Sequence, residues 1–503
     1  MSFISLQFLG FFVVVTSLYF ALPHAYRWGL LLLASCIFYM AYIPYYILIL
    51  FLVIFIDYFA GIMIEEGSPR RRKFYLILSI ISTCSIFFVF KYFDFFAVNI
   101  DALASALDWN YSVAALGLIL PLGLSFHTFQ SLSYIFEVYK GKQKAERHIG
   151  IYALYVMFYP QLVAGPIERP QHLLHQFREE HAFDYERFSE GLRRMVLGFF
   201  KKVVIADNLA GYVKETFANP HQFQGVALLV GAVFFAIEIY CDFSGYSDIA
   251  IGAARVMGFK LIENFKNPYF AISIQDFWHR WHISLSTWFR DYLYIPLGGN
   301  RVKPLRWCIN IIVTFSIAGL WHGANWTYVM WGLLHGFFYI FSKATKDVRA
   351  YLSLFLPSMD TFFGRSLRRI GIFSVVLIAW IFFRASTFAD GLYISRTAIV
   401  GTFHYIVSTV QGLFGSAGFS FNALMQPILE PLLPTKHGIH FFELQVFAVL
   451  ALLTIEIIDH RHGFLKWVHA KPVYVRWSIY AVMVLSVMNL GNTNEIPFIY
   501  FKF

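Results

Sequence analysis

Tyr45 to Ile64 reads YYILILFLVIFIDYFAGIMI, with Asp57 as the one charge in twenty residues. At ~1.5 Å per residue a helix of this length spans ~30 Å, the thickness of a bilayer's hydrocarbon core. The run is apolar on nearly all faces. A transmembrane β-barrel would instead show alternating segments of roughly ten residues, so the stretch is read as a spanning helix.

The whole chain has the same character. Charged residues make up 14% of its 503 positions and aromatics 20%, which together with repeated apolar runs marks a polytopic helical membrane protein. Candidate spans are 5–22, 27–43, 45–64, 74–97, 111–139 (broken at Pro121), 149–164, 224–243, 307–324, 327–342, 370–386, 441–458 and 477–493. The first lacks a basic leader and a small-residue cleavage site, and is kept as a span. Segment 149–164 has basic loops on both sides and is expected to be re-entrant. A further crossing is expected near Ile249 to Ile262, masked by its polar residues. The expectation is an all-α polytopic membrane protein of about eleven transmembrane helices plus re-entrant and interfacial helices, with residues 1–503 as one integral-membrane domain.

The net charge of +10 reports topology rather than nucleic acid. Basic residues cluster in short loops, at Arg70–Lys73, Lys140–Arg147, Arg193–Lys202, Arg301–Arg306, Lys343–Arg349, Arg365–Arg369 and Arg461–Arg476, which places those loops in the cytoplasm. Both termini then fall outside it. Asp184 to Ala206 and Asp276 to Tyr294 mix apolar and charged residues at helical spacing, as interfacial helices do. Cys36, Cys84, Cys241 and Cys308 show no CxxC spacing and suggest no zinc knuckle.

Chemistry concentrates in WHRWHISLSTWFRDYLYIPLGGNR (Trp278–Arg301) and WHGANW (Trp321–Trp326). Imidazole exchanges protons near neutral pH, and polar groups at membrane depth are costly enough to mark function. Basic residues stand at both ends of the interval Arg306 to Lys343, so WHGANW is the turn of a hairpin. His322 then lies roughly 24 Å along a straight helix from Arg306, deep in the bilayer or toward its outer half. Gly323 and Asn325 suit a helix end there. A lone histidine in an aromatic span often only bonds a neighbouring carbonyl, and His279 and His335 are read that way. His279 and His282, at i and i+3, lack a third ligand, so no metal site is expected.

Together with PLGLSFHTFQSLSYIFEVYKG from Pro121, FYPQLVAGPIERP from Phe158, YCDFSGYSDIAIGAARVMGF from Tyr240 and FFRA at Phe382, these motifs resemble the bacterial branch of the membrane-bound O-acyltransferases, the group containing the alginate O-acetyltransferase membrane subunit. The resemblance covers nearly the whole chain; His127 departs from it where relatives more often carry an aromatic residue. It implies helices around a central tunnel, transfer of an acyl group from a cytoplasmic thioester to an acceptor outside, and catalytic roles for His322 and His282. A positioned imidazole contributes roughly 10²–10⁴-fold as a general base, which is the role expected of His322. His282 would orient it, bond the donor carbonyl, or stabilise an oxyanion with Asn325.

Supporting or tunnel-wall roles are assigned to Trp321, Asn325, Asp242, Tyr246 and Asp248; the acidic pair could equally bind Arg255 and stabilise packing. Acetyl-coenzyme A is the expected donor, its phosphates met by Arg169, Arg280, Arg290 and Arg301, with Lys201 and Lys202 as further candidates. The expected partner is a periplasmic or membrane-anchored acetyltransferase that modifies a glycan, with lipid around the chain and no nucleic acid. D-alanyl transfer to a cell-envelope polymer and a transporter or flippase are the alternatives; the latter predicts internal repeats, and none is seen.

Overall fold

Proline and glycine punctuate the chain where its apolar runs meet. The architecture comes from a computed structural model that describes residues 1–163, 165–352, 361–414, 421–430, 438–491 and 498–499. Among these residues the regular elements are all helical. Helices α1 (Leu6–Ala21) and α2 (His24–Met40) form one hairpin, and α3 (Ile47–Glu66) and α4 (Pro69–Lys91) a second, with Ser5 capping α1 and Pro69 opening α4. Next come α5 (Phe93–Ala106), α6 (Leu124–Tyr139), α7 (Ile149–Met157), α8 (Tyr185–Phe199) and α9 (Asp207–Ala218). The central element is α10 (Gly225–Met257), at 33 residues the longest described helix. Two short helices, α11 (Ile274–Arg280) and α12 (Ile283–Phe289), precede the hairpin of α13 (Pro304–His322) and α14 (Trp326–Ala344). The chain continues through α15 (Phe362–Arg384), α16 (Phe388–Phe414), α17 (Gly438–His462) and α18 (Val473–Leu490).

Six described helices are long and apolar enough to cross a membrane. The expected total of about eleven also counts shorter and more polar helices, α1 among them. Leu6, Phe74 and Met488 are 85%, 60% and 75% exposed, as lipid-facing side chains are in a bilayer, which supplies no drive to hide them.

Three expectations are corrected. The span drawn over 111–139 is helical only from Leu124, because Pro121 and Gly123, the latter at φ 71°, break the backbone ahead of it. The span at 224–243 and the crossing near Ile249 to Ile262 are replaced by α10, which runs through Asp242 and Asp248 to Met257 and stops at Gly258, φ 108°. Those carboxylates do not interrupt the helix because cations from other segments meet them. Asp276 to Tyr294 is not one interfacial helix but α11, a break at Trp281–His282, α12 and a π-helical turn over Arg290–Tyr294. Segment 149–163 is α7 followed by a helical turn at Tyr159–Leu162, both too short to cross a bilayer and buried from Gly150 onward.

Close packing of α8 on α10 rests on four glycines. A Cβ on Gly191 would stand 2.7 Å from the Gly252 carbonyl, and one on Gly198 would stand 2.6 Å from that of Gly245. The mirror-image approaches, Gly252 to the Gly191 carbonyl and Gly245 to that of Gly198, are 2.6 and 2.8 Å. Small residues let helix backbones touch, and this contact brings the cations after α8 onto α10. Lys202 Nζ lies 2.6 Å from Asp242 and 2.7 Å from Asp207, while Lys201 Nζ and Arg194 reach Asp248 at 2.9 Å each. Elsewhere Asp57 of α3, fully buried, accepts from Ser79 and Thr83 of α4 and Ser131 of α6, tying three helices together.

Candidate active site

His322 is the last residue of α13, where the hairpin with α14 turns at Gly323 and Asn325. Its ring is buried in an aromatic box, 4.8 Å from Trp321, 4.9 Å from Trp331 and 5.2 Å from Phe383 between centroids. The helix end supplies what this placement needs. The last turn of α13 faces open space on two sides.

That space consists of two cavities. One, about 390 Å³, runs back along α13 and is lined by Ile311, Thr314 and Ala318 together with Trp278, Arg290 and His322. The other, about 50 Å³, is lined by Lys91, the Pro121 to Phe126 turn, Trp321 and His322. His322 is the residue common to both linings.

His282 is 1% exposed and stands in the break between α11 and α12 with φ 42° and ψ 57°. A left-handed backbone costs a non-glycine residue of order 1–3 kcal/mol and persists only where the surroundings impose it. Here Asn264 imposes it. Ile283 N–H donates to the Asn264 main-chain oxygen at 2.9 Å, and Ser284 donates to the Asn264 side-chain oxygen through both N–H and Oγ. His282 Nδ1 lies 3.0 Å from that same oxygen. Because the Ser284 amide already identifies the atom as an acceptor, Nδ1 carries the proton and donates. The Nε2 lone pair is left facing inward, with no hydrogen-bond partner among the described residues. His282 and His322 flank Trp321, at 6.2 and 4.8 Å from its ring. Two imidazoles, one tautomerically fixed with an accepting Nε2 and one opening onto two cavities, are suited to accepting and moving a proton.

Residues 147–386 match the family model MBOAT, membrane-bound O-acyltransferase family. The chain is 34% identical to the "Probable alginate O-acetylase AlgI" of Azotobacter vinelandii, over 98% of both proteins. This chain belongs to the membrane-bound O-acyltransferase family. Further relatives are the "Peptidoglycan O-acetyltransferase" of Helicobacter pylori, 35% identical over 78% of this chain and 77% of that protein, and the "Teichoic acid D-alanyltransferase" of Bacillus subtilis, 29% identical over 43% of this chain and 58% of that protein. The protein is thus a multi-pass membrane acyltransferase.

The other residues singled out in the sequence of this acyltransferase divide sharply. Trp321 stacks on Phe129 at 5.3 Å and walls the smaller cavity. Asn325 is exposed and caps α14 by accepting from Thr327 N–H at 3.0 Å through its side-chain oxygen, and it lines neither His322 cavity. Asp242 and Tyr246 line none of these cavities. Asp242 pairs with Lys202 and accepts from Ile499 N–H at 2.7 Å, and Tyr246 is 3.2 Å from the Ser2 hydroxyl and packs on Phe498. Asp248 does line a cavity, of about 700 Å³, shared with Asn264 and Arg280 but separate from the His322 pair. Its partners are Arg194 and Lys201 rather than Arg255, which pairs with Glu190.

Of the arginines, Arg290 lines the 390 Å³ cavity beside His322, held by Asp291 at 2.8 Å. Arg280 lines the 700 Å³ cavity and pairs with Asp276. Arg169 packs over Tyr292 and bonds Ser133 and Asp291 outside both His322 cavities, and Arg301 is exposed in the turn after Gly298. Lys201 and Lys202 are held in ion pairs with Asp248 and Asp242, and Lys201 also lines the 700 Å³ cavity. His279 lines the 390 Å³ cavity, whereas His335 lies in a cage of Trp278, Trp331 and Trp380. Among the described residues no group of three or more potential ligands could hold a metal ion.

Two residues of the site escaped the sequence reading. Lys91 carried a signal, a lone lysine within an apolar run. Asn264, in a polar stretch with no motif of its own, carried none.

Proposed function

We propose that this chain, acting as one integral-membrane unit over residues 1–503, takes acetyl groups from cytoplasmic acetyl-coenzyme A and passes them outward to a periplasmic or membrane-anchored acetyltransferase that O-acetylates an exopolysaccharide or cell-wall glycan. The observation that carries the reading is the position of His322 at the meeting of two cavities. The membrane in question is the bacterial inner membrane. The positive-inside rule orients α13 with Arg306 at the cytoplasm, so the 390 Å³ cavity receives the thioester and the smaller one leads outward, with both chain termini on the periplasmic side.

In this scheme His322 accepts the acceptor hydroxyl's proton as the oxygen attacks the thioester carbonyl. The tetrahedral intermediate collapses by breaking the C–S bond, and the imidazolium returns its proton to the departing sulfur, giving the ester and free thiol. Transfer is direct, without an acyl-enzyme. His282 packs beside Trp321, outside the linings of both cavities, and would act on the carbonyl oxygen through a bridging water. Arg290 is placed to attract the donor's phosphates, with Arg280, Arg301 and Arg169 as outer contributors.

The test uses purified protein in nanodiscs with radiolabelled acetyl-coenzyme A, with and without a candidate periplasmic acetyltransferase. Partner-stimulated release of coenzyme A that disappears in His322→Ala supports the reading. Turnover retained in His322→Ala removes that residue as the base. Turnover with a D-alanyl carrier thioester alone, or transport without thioester cleavage, overturns acetyl transfer.

A further inference from the structure

Helices α4 and α13 end at the same place. An α-helix leaves the carbonyls of its last turn without intrahelical donors, and α13 ends on the very residue proposed as the base. Two consecutive residues at the end of α4 meet those carbonyls. Lys91 Nζ donates to the Trp321 oxygen at 2.6 Å and to the His322 oxygen at 3.3 Å, and Tyr92 Oη donates to the Leu320 oxygen at 3.0 Å. The ammonium also lies 3.4 Å from Ser125 Oγ, at the start of α6, and 5.9 Å from the centre of the Trp321 ring. It shares the smaller cavity with His322.

A cation at this end is favoured by the partial negative charge of a helix C-terminus, but capping alone does not call for a lysine at membrane depth, where charge is costly. Much of α4 faces outward, and its last residue and the tyrosine after it turn in to grip three successive carbonyls of another helix, two by Lys91 and one by Tyr92.

We propose that Lys91 is a positioning residue for acyl transfer: with Tyr92 it clamps the end of α13 and so sets where the His322 imidazole stands between the two cavities. The proposal rests on the reading of His322 as the base. Lys91 acts through the main chain of His322, so removing it displaces the ring without altering the donor's binding cavity along α13.

The experiment compares wild type, Lys91→Met, Lys91→Arg and Tyr92→Phe in nanodiscs by two readouts. The first is the rate at which diethyl pyrocarbonate labels His322, followed by peptide mass spectrometry against His335 and His127 as buried references. The second is kcat and KM for acetyl-coenzyme A. In Lys91→Met the labelling rate at His322 changes several-fold while the reference histidines keep theirs, and kcat falls by roughly 100-fold at constant KM, as expected for a displaced catalytic group. Arginine restores most of both. Tyr92→Phe gives the same pattern more weakly and carries the test if Lys91→Met does not fold. An unchanged His322 rate, or parallel changes at all three histidines that betray general loosening, overturns the clamp. Wild-type protein without turnover counts against the donor reading, while the labelling ratio still decides the role of Lys91.

Discussion

The side-chain oxygen of Asn264 lies 3.0 Å from Nδ1 of His282, and that contact sets both the tautomer and the direction of the ring. The same oxygen holds the Ser284 amide and hydroxyl, so one amide group fixes the imidazole and the strained backbone that presents it. Partners of this kind matter in proportion to how much freedom the ring would otherwise have.

Asn264→Leu therefore lowers acetyl-coenzyme A turnover by roughly 10–100-fold, the range seen when an outer partner of a functional histidine is lost. Asn264→Asp, which keeps the acceptor, retains more activity than the leucine variant. Steady-state thiol release by the purified variants checks the order.

His322→Ala and His335→Phe separate a base from a packing histidine. Both residues are buried, yet only His322 lines the cavities described above. Turnover drops by about 10²–10⁴-fold in the first. In the second, with a ring retained inside the Trp278, Trp331 and Trp380 cage, it stays close to wild type. A large loss in His335→Phe with folding intact contradicts this division.

Lys202→Met leaves Asp242 and Asp207 buried without their cation. Breaking a buried ion pair by deleting one partner costs about 3–5 kcal/mol. The apparent Tm in detergent falls accordingly, and adding Asp242→Asn and Asp207→Asn recovers part of the loss.

Gly198→Val tests the contact between α8 and α10. The new side chain meets the Gly245 carbonyl, and overpacking of a fitted interface costs about 1–3 kcal/mol. Thermal unfolding followed by tryptophan fluorescence shifts down, whereas a substitution at exposed Glu186 on the same helix leaves it in place.

His172 supplies a pH dependence outside the spans. Its hydrogen bond to the buried Glu168 carboxylate, 2.6 Å, holds its pKa above the ordinary histidine value. The folded state thus binds the proton more tightly than the unfolded chain. The associated stability is present below the unfolded histidine pKa and is lost as pH rises through the folded value. His172→Gln flattens the Tm profile between slightly acid and mildly alkaline pH; an equally steep profile in the variant rules out this source.

Membrane class, helical architecture, family and the two central histidines were all legible in the residues, since each depends on local apolar length or on a contiguous motif. The failures have a common cause. Asp242 and Tyr246 read as tunnel wall because a charge in an apolar segment signals function, yet they line none of the cavities beside His322 and Lys202 neutralises Asp242; Asp248 does line a separate cavity, with Lys201 and Arg194 as its partners. The same neutralisation lets α10 run unbroken where the polar pattern suggested two crossings. Asn325 read as an oxyanion donor, and its side-chain oxygen caps α14 outside both His322 cavities.

By itself the sequence determined that this chain enters a membrane as helices and belongs to an acyltransferase family, and it singled out WHRWH and WHGANW as the candidate site. Hydropathy and motif wording are properties of neighbours along the chain. Only the tertiary structure decided which charges are paired, that Asn264 aims His282, that His322 opens onto two cavities and that Lys91 grips its helix end. Lys91 and His322 are 231 positions apart in sequence. No local pattern encodes a contact at that separation; it exists because two helices pack so that their last turns coincide, and the unsatisfied carbonyls of one meet the cation of the other.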